Sequence, residues 1–208
     1  MEHLYLPGVL DSQPAAGSGP REKGRAMSRQ FTKEEMDETA IHEAAHAVLF
    51  WHFDMGIEYT EIYVSKREDG RRGATSPKKK GPGSFCHDEL KETVPCMEGI
   101  MVHLAGIAAH RVLRSKVPQT KSGSDWEKAT TDAQALCYRP DDDEATLCRD
   151  WLLKRTENLI RGWDKLPKAI EALAKALLAK KPVDGVQRIE GSEATRIIEG
   201  VCYYSQDD

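Results

Sequence analysis

The stretch TAIHEAAHAVLFW, residues 39–51, decides the fold of this 208-residue chain. Apolar side chains occupy nearly every side of the helix that it would form, and a helix that is apolar all round is normally buried. Between residues 40 and 51 the only polar side chains are those of His42, Glu43 and His46. Burial of polar groups is costly unless they are bonded, so these three residues are the first candidates for a functional site.

The spacing of these three residues is that of the motif H-E-x-x-H. His42 and His46 would lie one turn apart on one helix face, where two imidazoles can bind one Zn²⁺. Glu43, about 100° round the helix, is the expected general base, which takes a proton from a metal-activated water that attacks a peptide carbonyl. The alternative is a buried, hydrogen-bonded histidine pair without a metal. A catalytic zinc also needs a third ligand, and His52 is expected on another face of the helix.

Outward from this stretch, the pattern predicts a mainly α-helical domain with one small β-sheet. Thr32 and Glu35 form a capping box, so the first helix is expected to begin after Thr32 and to end near His52. A strand is expected at residues 57–64, which alternate and are rich in β-branched and aromatic side chains. A partner strand is expected at 72–77 or 83–86, and further helices at 88–94, 95–114, 124–138, 142–162, 165–180 and 192–198.

Two of the later segments carry more detailed signals. Ser124 and Glu127 form a second capping box at the start of the helix predicted for residues 124–138. Asp184-Gly185 indicates a turn. Four apolar side chains are expected on the buried face of the helix at 142–162, namely Leu147, Trp151, Leu152 and Leu159.

Composition and charge limit the class of protein. Apolar residues make up 39% and charged residues 31% of the chain, which suits one globular domain at residues 31–205 after a flexible leader at 1–30. The net charge of −4 gives no reason to expect nucleic acid, and the segment 66–83, with Lys78-Lys79-Lys80, is interpreted as a flexible basic loop. The sequence shows no long apolar run, no secretory signal and no P-loop, so we expect no membrane segment, no ATP site and a cytoplasmic location.

Three segments of the chain resemble the FtsH-type zinc peptidases, the protease domain of the membrane-bound AAA proteases. The first, TAIHEAAHAV at 39–48, is similar to the family's HEAGHA helix. The second, LAGIAAHRVL at 104–113, is similar to the family's L-G-G-R-A-A-E-E helix. The third, SGSDWEKATTDA at 122–133, is similar to the family's segment G-A-x-N-D-x-E-x-A-T-x-x-A. The resemblance covers about residues 32–200 and implies a helical zinc-peptidase domain with one Zn²⁺ per chain. The chain departs from the family's pattern at Ala45, Ile107, His110 and Arg111, and it lacks the family's ATPase and transmembrane parts.

The resemblance also implies the third zinc ligand. The ligand aspartate of the family's third segment corresponds to Asp125, whose alternative role is to stabilise the positive end of its own helix. Asp132 would lie two turns further along and could accept a hydrogen bond that orients a ligand histidine. His103 and His110 are the rival ligands.

Three functions are open at this point. The first is a zinc-dependent endopeptidase that cleaves peptides or flexible protein segments without ATP, with the substrate bound as an added strand beside the predicted strand at 57–64. The second is a regulatory peptidase dedicated to one partner protein, or one that works in a homo-oligomer or with a separate ATPase. The third is a catalytically silent binding module that retains the peptidase fold. The expected substrate-binding residues are Tyr59, Glu61, Ile62, Tyr63 and Val64.

Overall fold

The computed structural model describes residues 29–78, 97–114, 124–137 and 142–203. These residues form six helices and one three-stranded antiparallel sheet, and 68% of them are helical, which confirms the predicted fold class. None of the described helices is long and apolar enough to cross a membrane. The elements are α1 (Lys33–His52), β1 (Ile57–Tyr63), β2 (Gly73–Pro77), α2 (Met97–Leu113), α3 (Ser124–Leu136), α4 (Asp142–Gly162), α5 (Lys165–Ala179), β3 (Val186–Glu190) and α6 (Gly191–Cys202).

Some predictions fall outside the described residues. They include residues 1–28 of the leader predicted at 1–30, the alternative strand at 83–86, the helical turn at 88–94 and residues 79–83 of the loop predicted at 66–83. The predictions for these segments stay predictions. Within that predicted loop, Gly73–Pro77 form a strand instead.

Helix α1 is the centre of the fold and begins with the predicted capping box. The Glu35 N–H donates to Thr32 Oγ1 at 3.1 Å, and the Thr32 N–H donates to Glu35 Oε2 at 2.9 Å. From residue 39 to residue 49 every side chain except that of His42 is buried, because α1 packs against α2, α5 and the sheet. This burial places Glu43 and His46 inside the protein.

The sheet has the strand order β2-β1-β3, with both neighbours antiparallel to the central β1. Thr60 of β1 lies opposite Thr75 on one side and Ile189 on the other. The strand at 73–77 matches one of the two predicted positions. Strand β3 was not predicted, since it has only five residues and pairs with a segment far away in sequence. The turn that precedes it was predicted, and its residues Asp184 and Gly185 have positive φ angles of 50° and 78°.

The central position of β1 contradicts the predicted mode of substrate binding. A substrate strand cannot add beside Tyr59–Tyr63, because β2 and β3 occupy both hydrogen-bonding edges of this segment. The backbone of Val64 is also engaged, with its N–H bonded to Gly185 and its carbonyl to Phe31. The five residues named for this role therefore form the middle of the sheet: Tyr59, Glu61 and Val64 are half-buried, and Ile62 and Tyr63 are buried.

Helix α4 has the predicted bounds but a different buried face. Leu147 and Trp151 are 71% and 52% exposed, so the prediction that they are buried is wrong. The helix instead buries a stripe at helical spacing that includes small and polar members, namely Ala145, Arg149, Leu152, Thr156 and Ile160. A search for apolar periodicity misses this stripe because two of its members are polar.

Candidate metal centre

The two histidines of the motif turn their Nε2 atoms toward one carboxylate. His42 Nε2 lies 3.0 Å and His46 Nε2 lies 3.4 Å from Oδ2 of Asp125, the second residue of α3. The two imidazole rings are 4.8 Å apart and inclined at 70°. One potential ligand atom from each of the three residues lies within 4.8 Å of the others. His42 and Asp125, 83 positions apart in sequence, are thus brought together because α1 and α3 both pack against α2.

The arrangement could hold a metal ion such as zinc. Tetrahedral coordination at about 2.0–2.1 Å places neighbouring ligand atoms roughly 3.3 Å apart, close to the nitrogen–oxygen distances found here. Two imidazoles and one carboxylate are a donor set that zinc accepts, and three protein ligands leave a fourth position for water or substrate. His42, His46 and Asp125 are therefore a candidate metal-binding group. The motif singled out the two histidines, and the resemblance implied Asp125.

Two features of α2 hold the histidine rings in place. The Nδ1–H of His46 donates to the carbonyl oxygen of Val102 at 2.8 Å, which directs its Nε2 toward Asp125. The ring of His42 lies directly against the Cα of Gly106, where any side chain would overlap the ring. Neither contact could be identified from sequence, although Gly106 lies within the segment LAGIAAHRVL at 104–113.

The charges of the group shift the pKa values of its members. Burial alone would raise the pKa of Asp125, but hydrogen bonds from His42 and His46 and their charge hold it well below its usual range. Burial alone would lower the pKa of His46, but its hydrogen bond to Asp125 and the charges of Asp125 and Glu43 raise it above its ordinary value. Without a metal the carboxylate therefore favours a proton on His46. A metal cation would replace that proton, since ligand imidazoles are neutral.

Glu43 is buried beside the ligands and is held by the edge strand β2. Its Oε2 accepts a hydrogen bond from Oγ1 of Thr75 at 2.9 Å, and Thr60 Oγ1 lies 2.9 Å from the same hydroxyl on its other side. A Cβ on Gly73 would lie 2.7 Å from Cγ of Glu43, so β2 can pass this close only with glycine there. Sequence reasoning missed Gly73 and Thr75, because only the fold brings the strand to α1.

The predicted role of Asp132 is corrected by its contact. Its Oδ2 lies 3.3 Å from Nε2 of His103, and both side chains are about 30% exposed. His103 is not one of the three grouped residues, so the contact of Asp132 is with a different histidine. The Val102 carbonyl, rather than Asp132, is the hydrogen-bond partner of His46.

Neither rival ligand belongs to the group. Burial lowers the pKa of His103, with smaller effects from the neighbouring charges of Asp132 and His46. Burial and then the charge of His42 lower the pKa of His110 to about 4. The ring of His110 lies 6.0 Å from that of His42 and is tilted relative to it. Both residues flank the site from α2.

Comparison with family models and with curated proteins finds no match to this chain.

Proposed function

We propose that this protein is a zinc-dependent endopeptidase in which His42, His46 and Asp125 hold one zinc ion and Glu43 is the general base. The observation that carries the proposal is the convergence of three zinc-type ligand atoms beside a buried glutamate from the same helix. The resemblance of three segments to FtsH-type peptidases supports the same assignment of residues.

In the proposed peptide hydrolysis, the metal ion, Thr75 and Glu43 have different roles. When bound, zinc would supply Lewis acidity to the substrate carbonyl and lower the pKa of a water molecule in the site. The Thr75 hydroxyl holds Glu43 through Oε2, and the proposed role of this carboxylate is to take the proton of the attacking water. Glu43 can then pass that proton to the leaving amine, so that one carboxylate acts first as base and then as acid.

The substrate is proposed to lie along β2 rather than along β1. Strand β2 is an edge of the described sheet, and its Thr75 contacts Glu43, so a peptide added there would pass the general base. Backbone hydrogen bonds to an edge strand make little demand on sequence. The strand GATSP has small side chains, which leaves room for varied residues of an extended segment. Flexible segments of proteins are therefore the expected substrate class, and ATP is not required for cleavage.

The test is metal analysis combined with cleavage of an unfolded substrate such as casein. We expect about one zinc per chain and cleavage that a chelator abolishes and added zinc restores. Glu43→Gln should keep the zinc and lower kcat/KM by about 10²–10⁴-fold, the usual contribution of a general base. A wild-type chain that binds no zinc contradicts the proposal. Zinc without cleavage of any unfolded substrate would instead favour the silent binding module.

A further inference from the structure

An arginine of α4 is buried against the first turns of the helix that carries Asp125. Arg149 is 8% exposed, and the carbon of its guanidinium group lies 3.9 Å from the centre of the Trp126 ring. Its Nη1 donates to Oγ1 of Thr130 at 3.0 Å. Its Nε and Nη2 donate to Oδ1 of Asp150 at 3.1 and 2.9 Å. All three nitrogens of the guanidinium group are thus engaged.

The two contacts on α3 are linked to each other. The Thr130 hydroxyl donates to the backbone carbonyl of Trp126 at 2.8 Å and accepts the hydrogen bond from Arg149. The guanidinium group therefore holds one turn of α3 at both ends, through the ring of Trp126 and the hydroxyl of Thr130. Asp125 is the residue immediately before Trp126, so its direction follows the rotation of this turn.

Rotation of α3 about its axis decides whether Asp125 reaches the histidines. Each residue of a helix is separated from the next by about 100°, so a modest rotation moves a side chain by several ångströms. The contacts of Arg149 with this turn are made through Trp126 and Thr130, which follow Asp125 in the helix. A planar guanidinium group, which stacks and donates in fixed directions, restrains rotation in a way that an aliphatic side chain cannot.

The position of Arg149 also argues for a specific role. It occupies a stripe of α4 whose neighbours Ala145 and Leu152 are fully buried, and burial of a charged group is unfavourable unless it is bonded. An apolar side chain would fill this space without that cost. A second arginine on the same helix, Arg155, lies 5.4 Å above the exposed ring of Trp151 and has no contact of this kind with α3.

We propose that Arg149 is a positioning residue of the metal centre, which sets the rotation of α3 through Trp126 and Thr130 and so directs Asp125 at His42 and His46. This inference rests on the proposed zinc site. In this proposal α4 contributes no ligand but controls the geometry of metal coordination.

The experiment compares four variants of the full chain with the wild type. Zinc dissociation constants are measured by competition with a chromophoric chelator, and the visible absorption of the cobalt-loaded protein reports the coordination geometry. We expect Arg149→Met to weaken zinc binding by about tenfold, the lower end of the loss seen when a residue that orients a metal ligand is removed. Thr130→Val should weaken it less, and both should change the cobalt spectrum.

Two controls separate positioning from general destabilisation. Arg155→Met removes an arginine stacked on a tryptophan of the same helix and should leave zinc binding and the spectrum unchanged. Leu152→Ala opens the core one turn from Arg149 and should lower thermal stability while the cobalt spectrum stays that of the wild type.

The outcomes are distinct. A wild-type chain without zinc overturns the proposed function and this inference together. Wild-type zinc affinity and spectrum in Arg149→Met overturn only the role of Arg149. A spectral change that Leu152→Ala produces equally would also overturn it.

Discussion

Helix α3 carries two aspartates that face histidines, and the difference between them shows what makes a metal site. Asp125 and Asp132 are seven residues apart, about two helical turns, and so lie on similar sides of α3. Asp125 contacts two imidazole nitrogens, at 3.0 and 3.4 Å, whereas Asp132 contacts one at 3.3 Å. The residue types and distances are alike. The number of converging rings differs.

The helices opposite α3 account for this difference. Helix α1 presents His42 and His46 one turn apart, so two rings reach one carboxylate. Helix α2 presents His103 near Asp132, and the next histidine, His110, lies two turns away and close to His42 instead. The carbonyl of Val102 anchors His46. A carboxylate beside one half-exposed histidine makes a single side-chain contact, while a carboxylate beside two anchored histidines makes a candidate metal site.

The largest change in zinc affinity is expected when Asp125 and Asp132 are each replaced by alanine in separate variants. Asp125→Ala removes a ligand atom and should weaken zinc binding by more than about 100-fold, beyond the loss typical of residues that only orient ligands. Asp132→Ala should change the zinc dissociation constant by less than about threefold, because its partner His103 is not a ligand. Chelator competition on both variants measures this. Equal losses in the two variants would mean that the comparison between the two aspartates is wrong.

The next largest loss of zinc affinity is expected when the contact that holds the His42 ring is changed. Gly106→Ala places a methyl group where the ring of His42 lies, so the ring must leave the position in which its Nε2 contacts Asp125. We expect zinc binding to weaken by about 10–100-fold and the free energy of unfolding to fall by about 1–3 kcal/mol. The matched control is Gly200→Ala in α6, where a Cβ meets nothing within 4 Å.

In that control, alanine should stabilise the helix by roughly 0.5–1 kcal/mol and leave zinc binding unchanged. If Gly106→Ala behaved like Gly200→Ala, the contact between Gly106 and His42 would not be what sets the ring position.

A smaller effect is expected in the pH dependence of stability without metal. The pKa of Asp125 is lowered from 3.8, so its contribution is present above that pH and is lost as the pH falls. The pKa of His46 is raised from 6.5, so its contribution is present below that pH and is lost as the pH rises through the folded value. The pair therefore stabilises the metal-free fold most between about pH 4 and pH 6.5.

Urea unfolding of the wild type and Asp125→Asn at several pH values measures this contribution. The lowered pKa values of His52, His103 and His110 act in both chains and therefore largely cancel in the comparison. The wild type should exceed the variant by more at pH 5.5 than at pH 8. A difference that stays constant or grows toward pH 8 would contradict the raised pKa of His46. Zinc affinity should change in the opposite direction and rise with pH, since binding displaces the proton.

The residues of this site that lie on one helix could be predicted from the sequence, whereas the contacts between different elements could not. His42, Glu43 and His46 could be predicted because one turn of helix determines their arrangement. Asp125 lies 83 residues from His42, and only the resemblance to a family pointed to it. No pattern of spacing could find the contacts that cross between elements, such as Thr75 with Glu43.

The same difference between local and long-range contacts explains which features of the fold were predicted wrongly or not at all. Capping and periodicity predicted the bounds of α1 and α4, which depend on neighbours in sequence. The buried face of α4 depends on its partners, and Arg149 and Thr156 read as surface residues until their contacts are known. Residues 186–190 form strand β3 by pairing with one edge of β1, and this pairing leaves that edge closed to a substrate strand.

The smallest effect is the coupling between His103 and Asp132. Both side chains are about 30% exposed, and partly solvated ion pairs contribute only about 0.2–1 kcal/mol to the free energy of unfolding. The pair is charged on both sides only below the lowered pKa of His103, so the cycle is measured at acidic pH. A double-mutant cycle with His103→Gln and Asp132→Asn should give a coupling energy in that range, and 1 M salt should reduce it further. The corresponding cycle of His46→Gln and Asp125→Asn should give a larger value that salt reduces less, since that pair is more buried. Similar coupling energies in the two cycles would show that burial and anchoring do not distinguish the two aspartates. The metal preference of Asp125 would then have to come from the number of converging histidines alone.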